Sequence, residues 1–360
     1  MSFRILVVIM GIILITCFHG CSKPPAEDGS IRLHVADWVP AFGHNGGWRA
    51  VPTGKPLEGK ADWPRSNEPH ALQPGFYDVY WVQDYKHESE PMRIANKVLV
   101  ESTKETTVNI DSGLRLDKAD WVPKLGHEGW WGAVPVGKPV ADRVDWAHEN
   151  TALVIPPGRY DVYWVQDYKH ENQPLRLATD VIVSSGNLAK VDAATGIRMD
   201  VAEWVPKIGH EGWWGAVPTG MTVEDRLDWA HENIAILLPP GNYDVYRVQD
   251  YKHEDTPVRL ATEVVVVPAS AATVTARSGI RLDVPDSVPD LGHNGWWGAV
   301  PAGRDVADRV DWAASKSTPL LLTPGNYDVY WRQDYNAQPK MVVKGAVVTS
   351  GELTVATPGF

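Results

Sequence analysis

One segment of the chain occurs four times with little change. Its pattern is typical of a turn and a strand, followed by a polar segment that starts with Gln-Asp-Tyr and is called the polar exit below. The copies begin at Pro74, Pro157, Pro240 and Pro324. The Gln of the exit recurs after 83, 83 and 84 residues, at Gln83, Gln166, Gln249 and Gln333. A fixed period of this length requires each unit to form a small core and to pack against its neighbours along the chain. The sequence therefore predicts four repeats, at residues 29–112, 113–195, 196–278 and 279–360.

Short strands separated by turns are predicted in every repeat, and the third repeat shows them best. Ile197, Met199 and Val201 alternate with charged residues, which is the period-two pattern of a half-buried strand. The Pro-Pro-Gly-Asn sequence at 239–242 is typical of a tight turn. About six such strands per repeat indicate an all-β fold of tandem antiparallel β-sandwiches, Ig-like or prealbumin-like. A single four-bladed propeller is the alternative, but repeats of 83 residues are long against about 40–50 for a blade.

The first residues have the pattern of an export signal. One basic residue, Arg4, precedes an apolar run over 5–18 that is too short to span a bilayer as a helix. Cys21 follows, so residues 1–20 resemble a bacterial lipoprotein signal peptide, with Cys21 as the lipidated residue and 21–28 as a tether. An ordinary secretory signal with an incidental cysteine is the alternative. The resemblance implies a cell-envelope protein held to a membrane by its lipid, at the outer membrane or the cell surface.

Composition narrows the classes of function. The net charge of −11 disfavours a nucleic-acid partner, because binding a phosphate backbone needs a basic surface. The two cysteines, Cys17 and Cys21, both lie in the leader, so the repeats must be stable without disulfides. The sequence has no phosphate loop, dinucleotide fingerprint or nucleophile motif, which predicts a non-catalytic protein that needs no cofactor.

The second half of each repeat resembles a known class of envelope repeat. An apolar strand is followed by Leu-Pro-Pro-Gly-Asn-Tyr-Asp-Val at 238–245, by a second strand and by a Val-rich strand. This arrangement is similar to PEGA-type and transthyretin-like (carboxypeptidase-regulatory-like) β-sandwich repeats. The resemblance implies non-catalytic binding or spacer modules, and it does not extend to the Trp-rich first half of each repeat.

A Gly-His loop and an Asp-Trp pair recur in the Trp-rich half of all four copies. Adjacent tryptophans near a histidine and a carboxylate can form a sugar platform, because ring faces stack on CH groups and carboxylates accept hydroxyl bonds. The alternative is that the tryptophans fill the cores, with one of each pair partly exposed. The candidate ligand-binding residues are His127, Trp130, Trp131, Asp145, His210, Trp213, Trp214, Asp228, His293, Trp296 and Trp297.

No metal site is predicted. The His, Glu and Asp residues of each repeat lack the close spacing of a zinc motif. A buried histidine that bonds the loop backbone is the simpler interpretation of the recurrent residues His44, His127, His210 and His293.

The polar exit is predicted to lie at the junction between repeats. Its Lys-His-Glu sequence occurs in three repeats and is replaced by Asn-Ala-Gln at 336–338 in the fourth, which no further repeat follows. Terminal repeats commonly differ at positions where inner repeats contact a neighbour. The candidate junction residues are Gln166, Asp167, Tyr168, His170, Glu171, Gln249, Asp250 and His253.

These observations predict an envelope lipoprotein that acts as a structural or adhesive scaffold and presents Trp-rich loops to a polymer or protein partner. The alternative function is an array of modules that bind a glycan or peptidoglycan. In both cases weak individual sites gain from repetition on one chain.

Overall fold

A computed structural model describes residues 27–57, 64, 67–87, 91–255 and 257–360. The predicted signal peptide, Cys21, most of the tether and the first Asp-Trp pair (Asp62 and Trp63) lie outside the described residues. The described residues form β-strands and single 3-10 turns, and among them no helix is long and apolar enough to cross a membrane.

Each repeat is built from strands of two to nine residues. In repeat 1 the described strands are β1 (Gly29–Val35), β2 (Gly47–Pro52), β3 (His70–Leu72), β4 (Gly75–Val82), β5 (Met92–Val100) and β6 (Glu105–Ile110). In repeat 2 they are β7 (Gly113–Lys118), β8 (Trp130–Pro135), β9 (Asp145–Ala147), β10 (Leu153–Val154), β11 (Gly158–Val165), β12 (Leu175–Val183) and β13 (Leu188–Ala193).

The same seven strands recur in the last two repeats. In repeat 3 they are β14 (Gly196–Val201), β15 (Trp213–Pro218), β16 (Asp228–Ala230), β17 (Ile236–Leu237), β18 (Gly241–Val248), β19 (Val258–Val266) and β20 (Ala271–Ala276). In repeat 4 they are β21 (Gly279–Leu282), β22 (Trp296–Pro301), β23 (Asp311–Ala313), β24 (Leu320–Leu321), β25 (Gly325–Arg332), β26 (Lys340–Val348) and β27 (Leu353–Ala356). The 3-10 turns of the described chain are Tyr85–His87, Val140–Asp142, Tyr168–His170, Val223–Asp225, Tyr251–His253 and Val306–Asp308.

Two sheets make up each repeat. In repeat 2 the larger sheet has the strand order β12-β11-β8-β9 and is antiparallel throughout. The smaller sheet has the order β10-β7-β13, in which β7 pairs antiparallel to β10 and parallel to β13. Repeats 3 and 4 have the same two sheets, and the described part of repeat 1 has the orders β2-β4-β5 and β3-β1-β6. The predicted all-β fold of four sandwich repeats is confirmed. The strand pairing differs from the antiparallel prediction in one respect, because the sheet that contains the first strand of each repeat includes one parallel pair.

The core of each repeat lies between its two sheets. In repeat 2, Leu114 and Leu116 of the smaller sheet pack with Trp131 and Val162 of the larger sheet. None of these four residues has more than 1% of its surface exposed. They alternate with outward-facing neighbours because successive side chains of a strand point to opposite faces of its sheet.

Neighbouring repeats are joined without a flexible linker. Only Ala194 and Thr195 separate β13 from β14, so repeat 2 passes directly into repeat 3. One apolar side chain of each following repeat packs into the core at the end of the repeat before it. These side chains are Val154, Leu237 and Leu321. The apolar interior therefore continues from one repeat to the next.

A recurrent aspartate holds a bulge in the edge strand of every larger sheet. In repeat 3 the pairing of β18 with β19 shifts on both sides of Val245. The carboxylate Oδ1 of Asp244 accepts a hydrogen bond of 2.9 Å from the backbone N–H of Glu263, which has a φ of 52°. The other three repeats make the same contact, from Lys97 to Asp78, Asp180 to Asp161 and Gly345 to Asp328. This contact explains why Asp occurs in every Tyr-Asp-Val segment.

Asp244→Ala is expected to lower the free energy of unfolding by about 1–3 kcal/mol, because it leaves the N–H of Glu263 without its acceptor. Urea unfolding followed by far-UV circular dichroism measures the change. Asp244→Asn is the matched control, since it keeps an acceptor oxygen but loses the ion pair with Arg259. Equal losses in the two variants would show that the charge, and not the hydrogen bond, stabilises the bulge.

Candidate functional site

The second tryptophan of each Trp-Trp pair is a core residue. Each ring is fully buried, and its Nε1 donates to a backbone carbonyl of the same repeat, namely Glu149, Glu232 or Ser315. A ring with no exposed face cannot stack on a sugar. The prediction of a ligand-binding role is therefore wrong for these three residues, Trp131, Trp214 and Trp297.

The first tryptophan of each pair packs against an arginine that the sequence analysis did not single out. The guanidinium of Arg226 lies 4.7 Å from the ring centroid of Trp213 and 5.7 Å from that of Trp229. Arg143 contacts Trp130 in the same way at 5.1 Å, and Arg309 contacts Trp296 at 5.0 Å. Trp213 and Trp296 are buried, whereas Trp130 is half-buried. Cation–π contacts occupy these ring faces, so the predicted sugar platform is not open at Trp213 and Trp296.

The Gly-His loop folds onto the polar exit of its own repeat. In repeat 2 the N–H of Gly126 donates to the carbonyl of Gln166 at 2.8 Å, and the N–H of Tyr168 donates to the carbonyl of His127 at 2.9 Å. The Gln166 side chain donates back to the carbonyl of Lys124 at 2.7 Å. A Cβ at Gly129 would overlap the Gln166 carbonyl, so this close approach requires glycine.

This fold of the loop turns the recurrent histidine outward. The side chain of His127 is 80% exposed, and its ring meets the edge of Tyr168 at a centroid distance of 6.1 Å. Tyr168 is itself 52% exposed. The interpretation of these histidines as buried is therefore wrong. The exposed pairs are His44 with Tyr85, His127 with Tyr168, His210 with Tyr251 and His293 with Tyr335.

The second histidine of the exit faces the next repeat. His170 is 5% exposed, and its Nδ1 lies 2.8 Å from Asp167 Oδ1 while its Nε2 lies 2.9 Å from the Trp229 carbonyl. The imidazole also stacks on the Trp229 ring at 4.2 Å. Each of the three junctions has these contacts, made by His87 to Trp146, His170 to Trp229 and His253 to Trp312.

The buried aspartates of the Asp-Trp pairs lie at the same junctions. Asp228 Oδ1 is 3.6 Å from His170 Nε2, and the corresponding distances are 3.5 Å for Asp145 and 4.0 Å for Asp311. Burial raises the pKa of Asp145 and Asp228 to about 7 and that of Asp311 to about 6, while the facing histidine opposes the shift. The ligand-site hypothesis required Asp145 and Asp228 to lie beside the exposed histidines of the Gly-His loops. They lie at the junctions instead, so the hypothesis is wrong for these two residues.

We use the term junction cluster for three side chains at each boundary. They are the histidine, the aspartate on its Nδ1, and the buried aspartate of the next repeat. The clusters are Asp84, His87 and Asp145, then Asp167, His170 and Asp228, and finally Asp250, His253 and Asp311. Gln166 and Gln249 instead bond their own loops, Tyr168 faces outward, and Glu171 is exposed at the end of its 3-10 turn.

A further junction residue was missed in the sequence analysis. The ring of Trp38 packs against the first residue of repeat 2, where a Cβ at Gly113 would overlap it. Trp121 and Trp204 make the same contact with Gly196 and Gly279. A comparison of the four copies could have indicated this contact. The fourth copy has Ser287 in place of the tryptophan, and the first copy has Ser30 in place of the glycine.

Among the described residues, no group of three or more His, Cys, Asp and Glu side chains is arranged to hold a metal ion. The exposed histidines of the Gly-His loops each stand beside a tyrosine, and the buried junction histidines bond protein acceptors. The contacts that these histidines make are hydrogen bonds and ring contacts.

No family model matches the chain, and no curated protein matches it. Among solved structures it is similar to the TIE protein of Bacillus anthracis, with 10% identity, a TM-score of 0.15, and coverage of 87% of this chain and 68% of that one. It is also similar to the major pilin subunit BcpA of Bacillus cereus, with 8% identity, a TM-score of 0.16, and coverage of 69% and 98%. For the pilus adhesin SpaC of Lactobacillus rhamnosus GG the values are 9%, 0.16, 92% and 57%. These scores are too low to assign a family, and the function has to be inferred from the residues.

Proposed function

We propose that this protein is a non-catalytic scaffold of the cell envelope, in which four sandwich repeats are locked in a row and present exposed His-Tyr loops to an extracellular partner. The observation that carries the proposal is the difference between the first three repeats and the fourth. Repeat 4 lacks the junction tryptophan and histidine, having Ser287 and Ala337, but it keeps the exposed pair His293 and Tyr335. The exposed pair recurs in all four repeats, including the repeat that has neither junction residue, and this recurrence supports a binding role for the pair.

Anchoring by a lipid on Cys21 is part of this proposal. A lipid at one end of a stiff row would hold the exposed loops away from the membrane. The row itself supplies the stiffness, because two residues separate consecutive strands at a junction and the apolar cores continue across it. A polymer or a protein with repeated epitopes would gain affinity from simultaneous contacts with several loops.

A glycan or peptidoglycan partner is the second candidate, favoured by the exposed tyrosines. Their exposed fractions lie between 52% and 58%, and each ring stands beside an imidazole. Ring faces stack on sugar CH groups, and imidazole nitrogens bond hydroxyl groups. The tryptophan pairs no longer support this candidate, since their faces are buried or covered by arginine.

Replacing the four exposed tyrosines by alanine is expected to lower the affinity for such a glycan by more than about tenfold, since each ring contributes about 0.5–1.5 kcal/mol and the sites act together. The variant is Tyr85→Ala, Tyr168→Ala, Tyr251→Ala and Tyr335→Ala. Binding to immobilised peptidoglycan and to a panel of purified glycans measures the effect.

The matched control removes four other exposed apolar side chains, with Phe76→Ala, Ile182→Ala, Val265→Ala and Val347→Ala. Wild-type binding in the control and weakened binding in the tyrosine variant would support the His-Tyr loops as the site. Unchanged binding in the tyrosine variant would place the site elsewhere. Failure of the wild-type chain to bind any glycan would remove the glycan candidate and leave a protein partner.

A further inference from the structure

Two carboxyl groups and one imidazole meet, mostly out of solvent, at the junction between repeats 2 and 3. The side chains of Asp228 and His170 are 7% and 5% exposed, and that of Asp167 is 26% exposed. Both nitrogens of His170 face acceptor oxygens, at 2.8 Å and 2.9 Å, so only the doubly protonated, cationic ring donates to both. With both aspartates ionised, this junction cluster still has one negative charge in excess. Uptake of one proton makes it neutral, and a neutral cluster is cheaper to bury.

We propose that the junction clusters make the coupling between repeats depend on protons, so that the row is stiffest at mildly acidic pH and loosens as its buried carboxyl groups ionise. The inference rests on the proposal that these residues couple neighbouring repeats. The extra proton resides on the buried aspartate, whose Oδ1 is 3.6 Å from the ring nitrogen and accepts from the backbone of Trp229 at 2.9 Å.

The direction of the effect follows from the titration of the buried carboxyl group. An unfolded aspartate has a pKa near 3.8, and burial raises the pKa of Asp228 to about 7 in the folded chain. Between these values the folded chain binds more protons than the unfolded chain. The free energy of unfolding therefore falls as the pH rises from about 4 to about 7, and it stays at the lower value above that range. Burial also raises the pKa of Asp145 to about 7, and His87 faces it as His170 faces Asp228.

Other charged groups also face the clusters. Lys169 and His231 flank the second cluster, and the Nζ of Lys169 lies 5.9 Å from the ring centroid of Tyr168. Lys86 and His148 occupy the corresponding places at the first junction. Neither lysine forms an ion pair with the buried aspartate among the described contacts, so neither cancels the excess charge.

The third junction contains an internal control. Arg247 stands where the other repeats have tryptophan, is 4% exposed, and lies with Asp311, His253 and Lys252 around one cavity. Burial raises the pKa of Asp311 to about 6, and the charge of His253 and then that of Arg247 oppose this rise. Two negative and two positive groups already balance there. The third junction is therefore expected to respond less to pH than the first two.

The first test is a carbon-13 NMR titration of the full chain labelled at aspartate Cγ, between pH 4 and pH 8. Three carboxyl signals are expected to titrate above pH 5.5, and Asp145→Asn, Asp228→Asn and Asp311→Asn assign them by their loss. This measurement needs no altered protein to establish the titration itself. If every aspartate titrates below pH 5, the proposal is overturned, whereas the junction role of the histidines would stand.

The second test compares urea unfolding at pH 5.5 and pH 8 for the full chain. The unfolding equilibrium constant of wild type is expected to rise by up to about tenfold per pH unit for each carboxyl group that titrates in the window. Asp145→Asn with Asp228→Asn should remove most of this difference, and Asp311→Asn should remove less. Arg247→Trp should enlarge it, because the third cluster then loses its second cation.

The control for the double variant is Glu128→Gln with Glu211→Gln, which removes two exposed carboxyl groups beside the Gly-His loops. It is expected to keep the wild-type difference between the two pH values. The proposal is overturned if Asp145→Asn with Asp228→Asn keeps the full difference in unfolding between pH 5.5 and pH 8. It is also overturned if Arg247→Trp makes this difference smaller.

Discussion

Trp214→Ala is expected to lower the free energy of unfolding of repeat 3 by about 3–5 kcal/mol, the range for truncating a large buried aromatic side chain. Trp214 is fully buried, and its Nε1 donates to the Glu232 carbonyl at 2.9 Å. The substitution leaves a cavity between the two sheets and a carbonyl without its donor. Because single domains are stable by only about 5–15 kcal/mol, a large part of the stability of the repeat is lost.

Urea unfolding of the full chain, followed by far-UV circular dichroism, measures this loss as an early transition of one repeat. Trp130→Ala is the matched control, since Trp130 is half-buried and its ring packs against Arg143. Its cost is expected to stay below about 2 kcal/mol. Similar losses of unfolding free energy in the two variants would contradict the division of each pair into one core ring and one ring that packs against an arginine.

Trp204→Ser combined with His253→Ala is expected to uncouple repeat 4 from the rest of the chain. The two substitutions give repeat 3 the residues that repeat 4 has at these positions, Ser287 and Ala337. They remove the ring that packs on Gly279 and the imidazole that bonds and stacks on the following repeat. The loss of coupling is expected to be about 2–4 kcal/mol, because one partly buried aromatic ring and one buried hydrogen-bonded group disappear.

Differential scanning calorimetry of the full chain checks this prediction. A separate transition for one repeat is expected in the double variant, at a lower temperature than the main one. His293→Ala, which removes an exposed ring from repeat 4, is the control and should leave the wild-type profile unchanged. A double variant that unfolds in the wild-type manner would show that Trp204 and His253 do not couple repeats 3 and 4.

The comparison of copies within the sequence predicted the junction histidine for a physical reason that the structure makes plain. His87, His170 and His253 each contact the following repeat, and the fourth copy has Ala337 at the same position. The same reasoning applies to residues that the sequence analysis passed over. Ser30 and the exposed Ala71 stand in repeat 1 where later repeats have the glycine and the apolar side chain that meet a preceding neighbour.

The burial of the aromatic rings could not be predicted from composition. Trp130 and Trp131 are adjacent, and adjacent residues of a strand always point to opposite faces. That rule predicts that one ring of each pair faces the core, but it does not say what covers the other. Arg143, the residue that follows the 3-10 turn Val140–Asp142, packs on this ring, and its recurrence as Arg226 and Arg309 does not by itself say which ring the arginine meets.

The sequence by itself determined the number of repeats, the strand-and-turn pattern and the all-β fold, because these depend on local periodicity and on turn residues that act within a few positions. The tertiary structure decided which side chains meet. His170 and Trp229 are 59 residues apart in the sequence, and their contact exists only because two folded repeats place a 3-10 turn against a strand of the next sheet. The same packing placed Asp145 and Asp228 at the junctions instead of at a predicted ligand site, and it left the His-Tyr loops exposed to solvent.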